Sequence, residues 1–407
     1  MKKALFALLT IFVVLGAVVA QEKVTLNVLN YQQADQAGYQ EDVAIWEKFQ
    51  KDNPDIKLNI EVLFSEPYHQ KLQVYAAAGT LPDVFYVWPT SRSAIIHEKK
   101  LAKDLSKLLG PDFLKDFSGA ATDPNNQLGK YLAMLPQAFT YTSVMFVNKK
   151  LLADNGFDLP KTYDDLKRMV WKLKAKGINV IMLPNKDGWP MQSCLFSTVL
   201  GRMAGDDFVD AILAGKAKFT DKPFVDSLKV IDNLYKDGIM AREDNQVGYG
   251  EGPGLFVSGK AAIYIDGDWR AGAYITDKAS GKALIPPASQ EKDFVLLPFP
   301  SIPGEVNPGV VSGIAGTGWA ISAAIPSGSA REKAAVKLFK YLYSEEVQSI
   351  RYSTGSYVPT RKNVKANVEP LVAKVPPVSY THLRAHETVL DLVCRLLLEK
   401  KNKQYQS

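Results

Sequence analysis

Ala78-Gly79-Thr80-Leu81-Pro82-Asp83-Val84-Phe85 takes the chain from a helix into a strand, and Trp88 arrives at that strand's far end. Gly79 stands where a helix stops, and the apolar run Val84–Trp88 follows turn residues, as a buried strand does. Working backward, a helix is expected from about Tyr68 to Ala78, and Ile56, Leu58, Ile60 and Val62 alternate with polar neighbours as a half-buried strand does. Asp52, Asn53 and Pro54 end an earlier helix, in which Val43, Trp46 and Phe49 recur at helical spacing. Val24, Leu26 and Val28 open the series as another strand. Strands alternating with helices predict an α/β fold with a sheet covered on both faces.

Farther along, Thr162 and Asp165 form a capping pattern ahead of Leu166, Met169, Val170 and Leu173, and Gly177 falls where a left-handed residue ends a helix. Ser329 and Glu332 repeat the device before Val336 and Phe339. These are scaffold. Two more segments share the glycine, aromatic and carboxylate character of the first. One is Leu255-Phe256-Val257-Ser258-Gly259-Lys260-Ala261-Ala262-Ile263, running into Asp266-Gly267-Asp268-Trp269. The other spans Gly313 to Ile321 with Gly316-Thr317-Gly318-Trp319, followed after the capped helix by Gly355-Ser356-Tyr357-Val358-Pro359-Thr360-Arg361-Lys362.

In this order and spacing, the helix-Gly-x-x-Pro-Asp-strand pattern, the Ser-Gly-Lys-Ala-Ala turn and the Tyr-Val-Pro-Thr-Arg-Lys stretch resemble the family 1 extracellular solute-binding proteins. That group includes maltose-, multiple-sugar- and pentose-binding proteins, and the resemblance covers roughly Val24 to Asn363. It implies a type II periplasmic-binding-protein fold: two α/β lobes, three crossings between them, and a ligand cleft that closes by hinge motion. Mapped here, the crossings fall near Leu135–Phe139, Phe294–Pro298 and Tyr343–Gln348. The first lobe is then 24–135 plus 296–343, and the second 139–294 plus 348–377. The implied function is capture of a mono- or oligosaccharide and its delivery to the permease of an ABC importer, by a monomer that needs no cofactor.

A sugar presents an apolar C–H face and a rim of hydroxyls, so its site needs aromatic platforms with carboxylates and amides around them. Trp88 and Trp269 match cleft-facing positions in the family, and Trp189 stands among turn residues in Asp187-Gly188-Trp189-Pro190. Trp46 and Trp171 lie on helices and read as packing, and Trp319 as core. Gln32, Gln33 and Asp35 come straight after the first strand, where open α/β sheets hold ligands, although each reads equally well as solvated loop. Gln137, beside the first crossing, is placed to reach the cleft from the hinge. Of Asp266 and Asp268, one is expected to accept hydroxyl hydrogen bonds and the other to hold the turn.

Other classes fit poorly. A glycoside hydrolase needs two carboxylates on opposite sides of the bond, whereas Asp266 and Asp268 share one turn. His69 and His97 lack partners at metal-ligand spacing and read as surface or packing residues. A non-sugar ligand such as a polyamine, phosphate ester or peptide remains the alternative within the same fold.

Met1, Lys2 and Lys3 precede the apolar run Ala4–Leu15, too short for a membrane span, and Val18 and Ala20 suit cleavage before Gln21. A leader of residues 1–20 is therefore expected. With no cysteine after the cut for a lipid anchor, the predicted compartment is the periplasm. At the other end, Val378-Ser379-Tyr380-Thr381-His382-Leu383-Arg384-Ala385-His386-Glu387-Thr388 resembles translated sequencing-adapter sequence, so residues 378–407 are expected to be non-native. The formal charge of +6 includes Lys2, Lys3 and a tail with five Lys/Arg against three Asp/Glu, which leaves the body near +2. Without a basic run, such a surplus gives no footprint for nucleic acid. Cys194 reads as a small buried side chain with no disulfide to Cys394 in the tail.

Overall fold

The computed structural model describes residues 23–34, 38–89, 91–277, 280–355 and 358–374. The expected leader, Asp35, Cys394 and the tail from Val378 lie outside them. Among the described residues no helix is long and apolar enough to cross a membrane.

Two sheets carry the two principal cores. The first is built from β1 (Val24–Tyr31), β2 (Ile56–Leu63), β3 (Val84–Val87), β4 (Leu135–Pro136) and β11 (Gly318–Ile321), in the order β2-β1-β3-β11-β4. β1 pairs in parallel with both β2 and β3, as strands joined by crossover helices must. The helix Tyr39–Asp52 buries Ile45, Trp46 and Phe49, and the helix Ser65–Ala78 buries Tyr68 and Leu72. Gly79 ends the latter at φ 69°, the left-handed geometry that favours glycine. The second sheet joins β7 (Asn179–Met182), β8 (Ala261–Asp266), β6 (Val144–Asn148) and β9 (Phe294–Leu297) in that order. Its core takes Leu166, Met169 and Leu173 from the helix Tyr163–Lys174. That helix opens on a complete capping box between Thr162 and Asp165. At Ser329 the reciprocal half is displaced, because Glu332 accepts from the amide of Gly328 instead.

A small third sheet, β10-β5-β12, is made of β5 (Ala138–Tyr141), β10 (Gly313–Ala315) and β12 (Val358–Pro359). Each of its strands lies on a different passage between the two large sheets, so the crossings are tied to one another by backbone hydrogen bonds. Residues 135–141, from β4 through β5, make the first passage. The second comes later than Phe294–Pro298: β9 belongs to the second sheet, and the first is reached only between β10 and β11. Phe299 and Ile302 are buried in the second core, and the Arg202 side chain holds the carbonyls of Pro300 and Val310 at 2.9 and 2.7 Å. A buried guanidinium paired with backbone left no periodicity to read. The third passage also runs past Tyr343–Gln348, since Val347 packs in the first core and Tyr352 against the core beside β12.

Trp171 is corrected by the structure. It lies on the predicted helix but is 84% exposed, because Leu166, Met169 and Leu173 already fill the inner face. Trp46 and Trp319 are buried and meet edge to face at 5.5 Å.

Candidate functional site

On the first lobe, β1 and β3 end beside each other and bring Tyr31, Tyr86 and Trp88 together with His69 of the neighbouring helix. Trp88 is half-buried, with ring centroids 4.5 Å from His69, 5.0 Å from Tyr31 and 5.5 Å from Tyr86. Both histidines are packing residues: His97 is buried with its Nε2 2.7 Å from the Trp88 carbonyl, and burial pushes His69 down to about 3, keeping it neutral. Gln32 and Gln33 follow β1 as expected and are half-buried.

Below this aromatic nest lies a recess lined by Tyr31, Gln32, Glu41, Gln137 and Arg351, among others. A buried hydrogen-bond network forms its floor. The Arg351 guanidinium donates to Asp42 at 2.7 Å and to the Gln137 carbonyl oxygen at 2.9 Å. The Gln137 amide nitrogen donates to the Tyr86 hydroxyl at 2.7 Å, which in turn lies 2.5 Å from the Thr317 hydroxyl. Gln137, Thr317 and Arg351 sit on the first, second and third crossings respectively. Gln137 therefore faces the recess with both ends of its amide engaged at the hinge.

The second lobe presents another aromatic group. Trp189 packs edge-on to Tyr249 at 4.6 Å and tilted against Trp269 at 6.2 Å, and all three are half-buried. Trp269 folds back over its own turn: a Cβ at Gly267 would lie 2.2 Å from the indole, so only glycine permits the approach. Behind the rings, Asp266 and Arg270 form a buried ion pair at 2.7 Å. Asp266 also accepts from the Tyr249 and Tyr264 hydroxyls, each at 3.1 Å, and from the Gly267 amide at 2.8 Å. Its oxygens are spent inside the protein, which differs from the expectation that one carboxylate of this turn is offered outward. Asp268 is buried too and accepts from the Tyr141 amide of β5 at 3.1 Å, tying the turn to the small central sheet. Burial raises Asp268 to about 7.

The two faces approach one another around Thr354. A Cβ on Gly38 would lie 2.8 Å from that side chain, and one on Gly272 would lie 3.0 Å from its carbonyl oxygen. The predicted residues thus gather in two groups, Gln32, Gln33, Trp88 and Gln137 on one side and Trp189, Asp266, Asp268 and Trp269 on the other, while Asp35 lies outside the described residues. Sequence reasoning missed Tyr31, Tyr249, Arg270 and Arg351. Tyr31 ends a strand already identified, and Tyr249 lies between two glycines, signals that pointed to a site without naming its chemistry. Among the described residues no group of three or more His, Cys, Asp or Glu side chains is placed to hold a metal ion. Cys194 is free and fully buried, its Sγ 3.6 Å from Asp266.

The "maltotriose-binding protein" of Pyrococcus abyssi is 25% identical over 223 residues, 53% of this chain and 44% of that protein, so the match spans less than half of the relative. An "uncharacterized ABC transporter extracellular-binding protein" of Pyrococcus horikoshii is 23% identical over 330 residues, covering 80% of this chain and 69% of the relative. The solved structure of a "chitin oligosaccharide binding protein" superposes with a TM-score of 0.72 at 24% identity, covering 86% of this chain and 85% of that one. That likeness establishes the two-lobed type II periplasmic-binding-protein fold. The profile of the family described as "bacterial extracellular solute-binding protein" matches residues 33–349. With that match spanning most of a chain folded into two lobes around a hinge, this protein belongs to the bacterial extracellular solute-binding protein family.

Proposed function

We propose that the protein is the periplasmic sugar-binding component of an ABC importer, working as a monomer that captures a mono- or oligosaccharide between its lobes and hands it unchanged to the membrane permease. The observation that carries this reading is the pair of half-buried aromatic groups, Trp88 with Tyr31 on one lobe and Trp189 with Trp269 on the other. Aromatic faces on both sides suit a ligand with two apolar C–H faces. Names of relatives support the same ligand class, since two of them refer to maltotriose and chitin oligosaccharide. An open form exposes both faces, ligand bridges them, and the closed form prevails because it binds the ligand more tightly. Hydrolysis is disfavoured because Asp266 and Asp268 are both buried and share one turn, leaving no opposed acid and base there.

A thermal-shift screen against mono- and oligosaccharides tests the proposal. A sugar at about a hundredfold its dissociation constant should stabilise the protein by about 2.7 kcal/mol. If no sugar moves the melt while an amine, phosphate ester or peptide does, the sugar reading fails. Release of reducing ends from an oligosaccharide, abolished by Asp268→Asn, would replace the transport reading with an enzymatic one.

A further inference from the structure

We propose that Tyr249 is the positioning residue that sets the plane of Trp269, and that Trp269 consequently recognises ligand with its ring face alone. The proposal rests on the reading of Trp269 as a ligand platform. Tyr249 stands in Gly248-Tyr249-Gly250, a backbone with little stiffness of its own, so the phenol is held from outside. Three groups hold it. The Arg270 guanidinium lies 3.9 Å from the ring centroid, Trp189 meets the ring edge-on at 4.6 Å, and the hydroxyl lies 3.1 Å from Asp266 Oδ1.

A phenol has one proton to donate and lone pairs to accept with. An ionised Asp266, paired with Arg270, can only accept, so the Tyr249 proton is committed to it. The phenol oxygen is left as acceptor, and Trp269 Nε1 lies 2.5 Å from it. The only hydrogen-bond donor of the indole is thereby consumed within the protein. Gly267 closes in on the ring from its own turn, so the indole is restrained both at its nitrogen and along its body. The buried Asp266–Arg270 pair thus acts on the ligand at one remove, through Tyr249.

Two measurements test this, one of them without ligand. In 15N-indole-labelled protein, the Trp269 N–H resonance, assigned with Trp269→Phe, should exchange with solvent roughly tenfold or more faster in Tyr249→Phe than in wild type, because a protecting hydrogen bond is gone. Equal exchange in both overturns the proposal. Calorimetry with maltotriose, raffinose and chitotriose as probes should show Tyr249→Phe weakening binding roughly five- to tenfold, with no further loss in a Trp269→Phe background. An equal loss in both backgrounds means that Tyr249 acts on ligand directly, which also overturns it. If Trp269→Ala leaves affinity unchanged, or no sugar binds, the platform reading is what fails, and indole exchange still decides the tie between the two residues.

Discussion

The two aromatic groups hold their rings by different physics. Around Trp88 the partners are other rings, Tyr31, Tyr86 and His69, interleaved at 4.5 to 5.5 Å, and the buried Asp42–Arg351 pair beneath them reaches the rings only through the Gln137 amide and the Tyr86 hydroxyl. Around Trp269 the partners are a phenol and, behind it, a buried carboxylate and guanidinium. The first group is fixed by packing, which degrades gradually when volume is lost. The second is fixed by charge, which fails abruptly when one partner goes, because the remaining ion is stranded away from water. Ring-to-ring packing tolerates substitution and so leaves room for a change of ligand. The charged cluster fixes geometry more tightly.

The largest expected effect follows from that contrast. Asp266→Ala leaves Arg270 buried with no carboxylate and should cost about 3–5 kcal/mol in urea unfolding. By comparison, Tyr86→Phe removes only the hydroxyl bridging Gln137 and Thr317 and should cost about 1–3 kcal/mol. Equal losses would erase the distinction drawn between the two faces.

Next come the platforms. Trp88→Ala and Trp269→Ala should each weaken sugar binding by roughly 1–3 kcal/mol in calorimetry while the fold stands. Unchanged affinity in both variants would make these rings core residues.

The pH dependence separates the faces again. Asp268, raised to about 7, is more readily protonated folded than unfolded, so its contribution is favourable in acid and is lost as pH rises from about 4 through 7. Asp244, buried and likewise raised to about 7, acts in the same direction. His69, lowered to about 3, works oppositely: its contribution is lost as pH falls from about 6.5 toward 3. Urea midpoints from pH 4 to 8 should therefore fall less with rising pH in Asp268→Asn than in wild type. In His69→Gln they should fall less with increasing acidity. Parallel profiles for both variants and wild type would refute the assignment. The smallest effect is expected at Trp171, where replacement by Lys should change stability by no more than about 0.5 kcal/mol.

The legible parts of this chain were those governed by local rules. The alternation in Ile56–Ile60, the capping box at Thr162 and the stop at Gly79 each depend on a few neighbouring residues and stand in the structure as read, whereas Val62, read as the next inward residue, is 40% exposed at the end of its strand. Trp171 was misread because helical spacing tells which residues share a face, and a tryptophan next to that face was assigned to it. The second crossing was misplaced because the segment after β9 is held to the second lobe by one buried arginine bonding to carbonyls, which has no sequence period.

By itself, the sequence determined the α/β class, the strand-end loops in which Gln32, Trp88 and Trp269 fall, and the motif pattern of the family. All of these are encoded in short stretches whose hydrophobic period and turn chemistry do not depend on the rest of the chain. The tertiary structure alone decided which side of the Asp266-Gly267-Asp268-Trp269 turn faces outward. It also brought together Tyr249, Asp266 and Arg270, and closed a network over all three crossings from Gln137, Thr317 and Arg351. Partners separated by as many as 309 positions, as Asp42 and Arg351 are, meet only once both cores have formed, and a buried carboxylate binds whichever donors the packing brings to it.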